Sequence, residues 1–197
     1  MAEPVEVKLF FNFRSPYCYL ASKSMFSIVD EFHVTWAWRP LGGWAGRSDP
    51  ERAQKKLPLT RQDVQRWCRR LGIPFNPPPK DTDPTRAGAG SLYAAERGLL
   101  RPYVVEMMRT EWAEGRNIGE VDAILAVGAK IGLDADGLAA ALDDPARRAR
   151  LDDIAAEAQA LGVIGVPSFV IGDQIFWGND RIDFVKDHLR SLAAARL

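Results

Sequence analysis

The sequence predicts an α/β domain interrupted by a long helical insertion. Two observations carry this. Strand-like alternation is found only near the two ends of the chain, with a helix-patterned tract between them. The joints are also distinctive. F-N-F-R-S-P-Y-C-Y-L at residues 11–20 puts a Ser-Pro step behind an apolar run. G-V-I-G-V-P-S-F-V-I-G-D-Q-I-F-W-G-N-D-R at residues 162–181 puts a Val-Pro step before a hairpin and a helix start.

Val5, Val7, Leu9, Phe11 and Phe13 alternate with Glu6, Lys8, Phe10 and Asn12, a strand period. Ser15 then reads as an N-cap and Pro16 as the first helical residue, with the helix expected over residues 17–31. Val34, Trp36 and Trp38 give a second strand, parallel to the first through a β-α-β crossover. Residues 39–59 are rich in Gly and Pro and read as loop. Thr60 with Asp63 suggests an N-cap pair, and Val64, Trp67, Cys68 and Leu71 share a helix face closed by Gly72 and Pro74. After a proline-rich loop, helices are expected near residues 85–98, 101–115, 119–131, 136–142 and 145–161. Strands 168–171 and 174–177 flank Gly172-Asp173, a tight-hairpin pair. Asn179 or Asp180 would cap a last helix with Ile182, Val185, Leu189 and Leu192 on one face.

Removing the helical block leaves a small α/β sheet. The expected architecture is a thioredoxin-like domain of residues 1–40 and 162–197, with a large inserted all-helical domain at 41–161. Ser15 stands where such folds usually carry a nucleophilic Cys, so the site is expected to bind a thiol rather than supply one.

Hydrophobic content of 47% and charged content of 26% fit an ordinary soluble globular protein. Net charge is zero, so bulk attraction to nucleic acid or membrane is not implied. The two cysteines, Cys18 and Cys68, form no C-x-x-C pair or zinc spacing, which favours a reducing compartment. Residues 1–8 lack an apolar signal region and no run approaches transmembrane length, so a cytoplasmic protein is expected. Residues 39–70 carry nine Lys or Arg against three Asp or Glu; residues 134–157 carry seven acids against three Arg. These are either solvated helix faces or, for the basic stretch, a surface that meets an anionic ligand.

Ser15 sits at the carboxyl end of the first strand and at a helix N-terminus, where ligands of open α/β sheets bind and anions are stabilised. It is equally a good helix start anywhere. Pro167 in a thioredoxin-like layout faces the site, and a cis Val166-Pro167 bond would expose the backbone of Val166 to an extended peptide. Trp177, Gly178, Asn179 and Asp180 follow the last strand. Their N–H groups fit a carboxylate and Asp180 fits an ammonium group, unless Asn179 and Asp180 are only caps. Cys18 lies one turn from Ser15 and reads as a small buried hydrophobe. His33 and His188 show no metal or triad spacing, and no metal site is expected.

In combination, F-x-F-x-S-P-Y-x-Y-L-A, D-V-Q-R-W, G-V-P and W-G-N-D-R resemble bacterial 2-hydroxychromene-2-carboxylate isomerases, of the DsbA-like, kappa-class glutathione transferase group, over roughly residues 5–192. The resemblance implies glutathione as cofactor, a homodimer, and a role in aromatic hydrocarbon catabolism. By motif, it implies that Ser15 contacts the glutathione sulfur and that Val166 and Pro167 pair with its backbone. Trp177, Gly178, Asn179 and Asp180 would grip the γ-glutamyl end. Lys56 would meet glutathione and, with Arg52 or Arg47, the carboxylate of a small anionic aromatic substrate. The chain departs from the family at Leu59, where Tyr is frequent, and near Arg52, where Asn is. It departs again at Pro79-Lys80-Asp81, in place of a P-x-N segment, and at Cys18. The expected reaction is glutathione-dependent cis-trans isomerisation. A kappa-like transferase or peroxidase, and a non-catalytic DsbA-like thiol- or peptide-binding protein, are the alternatives.

Overall fold

Four strands form one mixed sheet in the order β2-β1-β3-β4. The computed structural model describes residues 3–43, 50–192 and 194; Arg47 and the side chain of Arg52 lie outside the described residues. β1 (Val5–Phe11) pairs in parallel with β2 (Val34–Pro40), Val5 opposite Val34 and Phe11 opposite Pro40. β3 (Ser168–Ile171) runs antiparallel beside β1, and β4 (Gln174–Trp177) closes a hairpin onto β3. Gly172 supplies the positive φ (57°) that the hairpin turn requires.

As a central strand, β1 is buried on both faces. Val7, Leu9 and Phe11 join the main apolar cluster, which continues into the helical block through Tyr103, Met107, Trp112 and Ile124. Phe10 points the other way, into a smaller cluster with Leu41, Ile154, Ala158 and Val170. On that second face Glu157 accepts from Lys8 Nζ (2.9 Å) and Arg39 Nε (2.7 Å), tying the helix that carries it to both strands.

The first helical region departs from the expected single helix. α1 (Pro16–Ala21) and α2 (Ser27–Glu31) are separated by a chain of tight turns. In those turns Ser22 Oγ donates to Tyr19 O (2.7 Å) and Ser27 Oγ to Ser24 O (2.7 Å). The break lets Met25 and Phe26 turn into the core.

The larger correction concerns α3, which spans Pro50–Leu71. Its first turns fall in the tract expected to be loop, and Thr60 and Asp63 sit inside the helix rather than at its cap. Pro58 is accommodated because that stretch is outside the core. Leu57 and Leu59 are 47% and 66% exposed, so water can serve the carbonyl that Pro58 leaves without its donor. The buried face is narrower than expected: Val64 and Cys68 are buried, whereas Leu71 is exposed. α4 (Thr85–Glu96), α5 (Leu100–Trp112), α6 (Val121–Ile131), α7 (Ala135–Leu142) and α8 (Pro145–Ala160) complete the insertion close to their expected limits.

After β4, Asn179–Arg181 form a 3-10 turn leading into α9 (Ile182–Ser191). Neither Asn179 nor Asp180 makes a capping hydrogen bond, contrary to the local expectation. No helix among the described residues is long and apolar enough to cross a membrane.

Candidate functional site

The site begins where β1 ends. Asn12 is buried and folds the turn that follows. Its Oδ1 accepts from Arg14 N (2.8 Å) and its carbonyl from Ser15 N (3.0 Å), an Asx-type turn. The turn delivers Ser15 in an extended conformation (φ −91°, ψ 121°) as N-cap of α1, with Pro16 first in the helix. Ser15 Oγ accepts from Cys18 N at 3.3 Å and donates to Val166 O at 3.3 Å. Both bonds are long for a hydroxyl, so the group is held but exchangeable. α1 has only 6 residues, so its dipole is small. The charge preference at Ser15 rests on the Cys18 amide and the hydroxyl itself.

The Val166-Pro167 bond is cis. Pro167 O accepts from Gly178 N at 2.9 Å, which joins this loop to the end of β4. The join is tight. A Cβ on Gly165 would lie 2.7 Å from Trp177 Nε1, so the indole needs glycine beneath it. Gly178 has φ 121°, and a Cβ there would lie 2.6 Å from Asp180 Oδ1. Only glycine fits both the dihedral and the space. The Asp180 carboxylate, not spent on capping, accepts from Arg181 Nη1 at 2.8 Å and remains half-exposed.

Tyr17, in the first turn of α1, bridges to the insertion. Its hydroxyl donates to Asp63 Oδ2 (3.0 Å) on α3. Burial, then the hydrogen bond and charge of Asp63, push the Tyr17 phenol up to about 12, with Asp180 adding a smaller effect of the same sign. Cys18 is fully buried, and burial pushes its thiol up to about 12. It is a neutral core residue beneath Ser15, as its position in the sequence suggested.

The structure therefore gathers Ser15, Val166, Pro167, Trp177, Gly178, Asn179 and Asp180 at one end of the sheet. Lys56 stands on α3 seven residues before Asp63, two turns from the Tyr17 contact. Arg47 and the Arg52 side chain, both expected near substrate, lie outside the described residues. Among the described residues no cluster of His, Cys, Asp or Glu forms a metal site. Four residues escaped the sequence reading: Asn12, Gly165, Arg14 and Trp112. The first two had a local signal, an Asn ending a strand and a Gly just before the Val-Pro step. Arg14 and Trp112 meet only in three dimensions.

A helix start at the end of a central strand, faced by a cis-Pro loop from the neighbouring strand, defines a thioredoxin-like ligand site, here with a serine hydroxyl at its centre. The chain belongs to the DSBA-like thioredoxin domain family, whose pattern it matches over residues 6–190. It is 26% identical over 191 residues to 2-hydroxychromene-2-carboxylate isomerase of Sphingobium xenophagum, covering 93% of this chain and 97% of that one. A solved 2-hydroxychromene-2-carboxylate isomerase superposes with a TM-score of 0.81 at 25% identity, over 95% of this chain and 96% of the other. The cytosolic disulfide reductase DsbM from Pseudomonas aeruginosa, solved with GSH, shares the fold with a TM-score of 0.69 at 21% identity, over 94% of this chain and all of that one.

Proposed function

We propose that the chain is a glutathione-dependent isomerase that interconverts 2-hydroxychromene-2-carboxylate and trans-o-hydroxybenzylidenepyruvate. The observation that carries the reading is the Ser15 Oγ–Val166 O hydrogen bond, a donor parked on the carbonyl that an extended peptide would use. The named relatives support the substrate class, and the GSH-bound fold neighbour supports the cofactor.

The residues present fit glutathione. A peptide N–H pairing with the Val166 carbonyl takes the place of the Ser15 hydroxyl. The released O–H then turns to donate to a sulfur held beside it, while Ser15 Oγ still accepts from the Cys18 amide. Asp180 meets the ammonium of a γ-glutamyl group, and the backbone N–H groups of residues 179 and 180 meet its carboxylate, the Gly178 N–H being held by Pro167 O. Cys18 stays a neutral thiol, so no dithiol competes with the bound ligand. Glutathione, when bound, supplies a thiolate that adds to a conjugated carbon and later leaves, so that a former double bond can rotate. Lys56 orients the substrate carboxylate from α3, with Arg52 or Arg47 as the expected partner.

Calorimetric titration with glutathione, followed by spectrophotometric turnover of a hydroxychromene carboxylate with and without it, tests this reading. Saturable binding and turnover that needs glutathione without consuming it are expected. Stoichiometric loss of glutathione would make the chain a transferase; absence of binding would sink the reading altogether.

A further inference from the structure

Ser15 depends on the turn before it, and an indole of the insertion holds the backbone of that turn. Trp112, at the end of α5 and 4% exposed, donates from Nε1 to Phe13 O at 3.0 Å. The Arg14 guanidinium lies 5.5 Å from the Trp112 ring centroid. The two residues immediately before Ser15 thus both rest on Trp112, one through its backbone and one through its side chain.

Trp112 is itself fixed. The Phe75 ring stacks parallel to it, 5.9 Å between centroids and 2° between planes. Its carbonyl accepts from Asn76 N (2.7 Å), and Asn76 Nδ2 donates to Ala113 O (2.7 Å). Arg14 continues from the indole to the carbonyls of Pro79 (3.0 Å) and Lys80 (3.4 Å), and stands 3.9 Å from the buried Glu111 carboxylate. A loop and a helix of the insertion are therefore locked to each other and to the strand end that carries Ser15.

We propose that Trp112 is a positioning residue for Ser15: its indole N–H sets the Phe13–Arg14 peptide and, through it, where the Ser15 oxygen sits. A buried carbonyl that loses its donor seeks another or water. Rotation of that peptide moves residue 15, whose two hydrogen bonds are already at 3.3 Å and have little slack. In its catalytic consequence this rests on the glutathione reading; in its geometric core it does not.

Trp112→Phe keeps a ring for Phe75 to stack on and removes only the N–H. Turnover of the hydroxychromene carboxylate should fall roughly ten- to a hundredfold, the range for a small misplacement of a reacting group. The glutathione dissociation constant should stay as in the parent, because Val166 and residues 178–180 hold the peptide. The second arm needs no glutathione. In a Ser15→Cys/Cys18→Ala background, the introduced thiol should accept the Cys18-position amide and titrate below the ordinary value of about 8.5. Adding Trp112→Phe should raise that pKa by about one unit, read directly from the pH profile of alkylation. Phe75→Leu, which loosens the indole and leaves its N–H, should do the same in smaller measure and serves if Trp112→Phe does not fold. Unchanged turnover and an unchanged thiol pKa, with only a lower melting temperature, would overturn the proposal. If the parent protein fails to bind glutathione, the function falls, and the thiol arm still decides the placement of residue 15.

Discussion

On the sheet side of the site, Ser15, Cys18, Val166, Pro167 and Gly178 hold one another through hydrogen bonds over ordered turns. On the α3 side, Lys56 stands on a stretch where Leu57, Pro58 and Leu59 are exposed, and the helix meets the α1 region through the Tyr17–Asp63 bond and the buried Val64 and Cys68. The first wall is preorganised, and in the proposed reading it is the one that holds the peptide-like thiol. The second is more exposed and makes fewer demands on folding. The departures at Arg52 and Leu59 fall on this second wall.

The comparison breaks most sharply at Ser15. Ser15→Ala removes the donor that, in the proposed reading, turns to the sulfur, and turnover should fall on the order of 10²–10³, as for loss of a single oxyanion-type donor. As an N-cap alone the same change would cost about 1 kcal/mol of stability and leave turnover per folded molecule unaltered. Kinetics and thermal melts on the same samples separate the two. Equal turnover would reduce Ser15 to a cap.

Gly178→Ala tests the sheet-side wall without touching Ser15. The methyl group would meet Asp180 at a φ that an L residue rarely adopts. A strained backbone position of this kind costs about 1–3 kcal/mol. Glutathione affinity should weaken by roughly ten- to a hundredfold in calorimetry, with the melting temperature lowered. Weakened stability with unchanged affinity would remove residues 178–180 from the binding wall.

The two walls also differ in how far they can be read from residues. Ser15-Pro16, the Val166-Pro167 step and Gly172-Asp173 were legible because each is turn chemistry written in two adjacent residues. The helices of the insertion were legible from their apolar period. The start of α3 was not, because Pro40, Gly42, Gly43 and Pro58 gave the whole tract the look of a loop. The exposed face of α3 tolerates a proline that a buried helix would not. The break between α1 and α2 was hidden because residues 22–26 carry no Gly or Pro and leave the apolar period intact. The Trp112–Phe13 contact crosses 99 positions and has no local trace.

Lys56→Ala sharpens the α3 side. If Lys56 orients a substrate carboxylate in a half-closed site, the charged hydrogen bond is worth roughly 1.5–3 kcal/mol. The substrate constant should then rise, or turnover fall, by about tenfold or more. Glutathione binding should change less than for Gly178→Ala. Kinetics at low and high salt check it. A change under about threefold at both salts would mark Lys56 as a screened surface charge worth about 0–1 kcal/mol.

The smallest effect expected is on the pH dependence of stability, and it concerns the seam between insertion and sheet. Burial disfavours the Glu157 carboxylate, but hydrogen bonds from Lys8 and Arg39 outweigh this and hold it below the usual glutamate range. A carboxyl group depressed in the folded state contributes stability above its unfolded value, about 4.3, and loses it as pH falls toward the folded value. The contribution should therefore be complete at neutral pH and fade below about pH 4. Glu157→Gln should lower the melting temperature at pH 7 by a few degrees, since about 1 kcal/mol shifts a domain of this size by roughly 2–4 °C. The difference from the parent should shrink as the pH is brought below 4. Lys8 and Arg39 remain charged throughout that range, so the change follows the carboxylate. A melting difference that stays constant from pH 7 to pH 3 would mean that Glu157 acts by shape, and that α8 is held to the sheet by Phe10, Ile154 and Val170 alone.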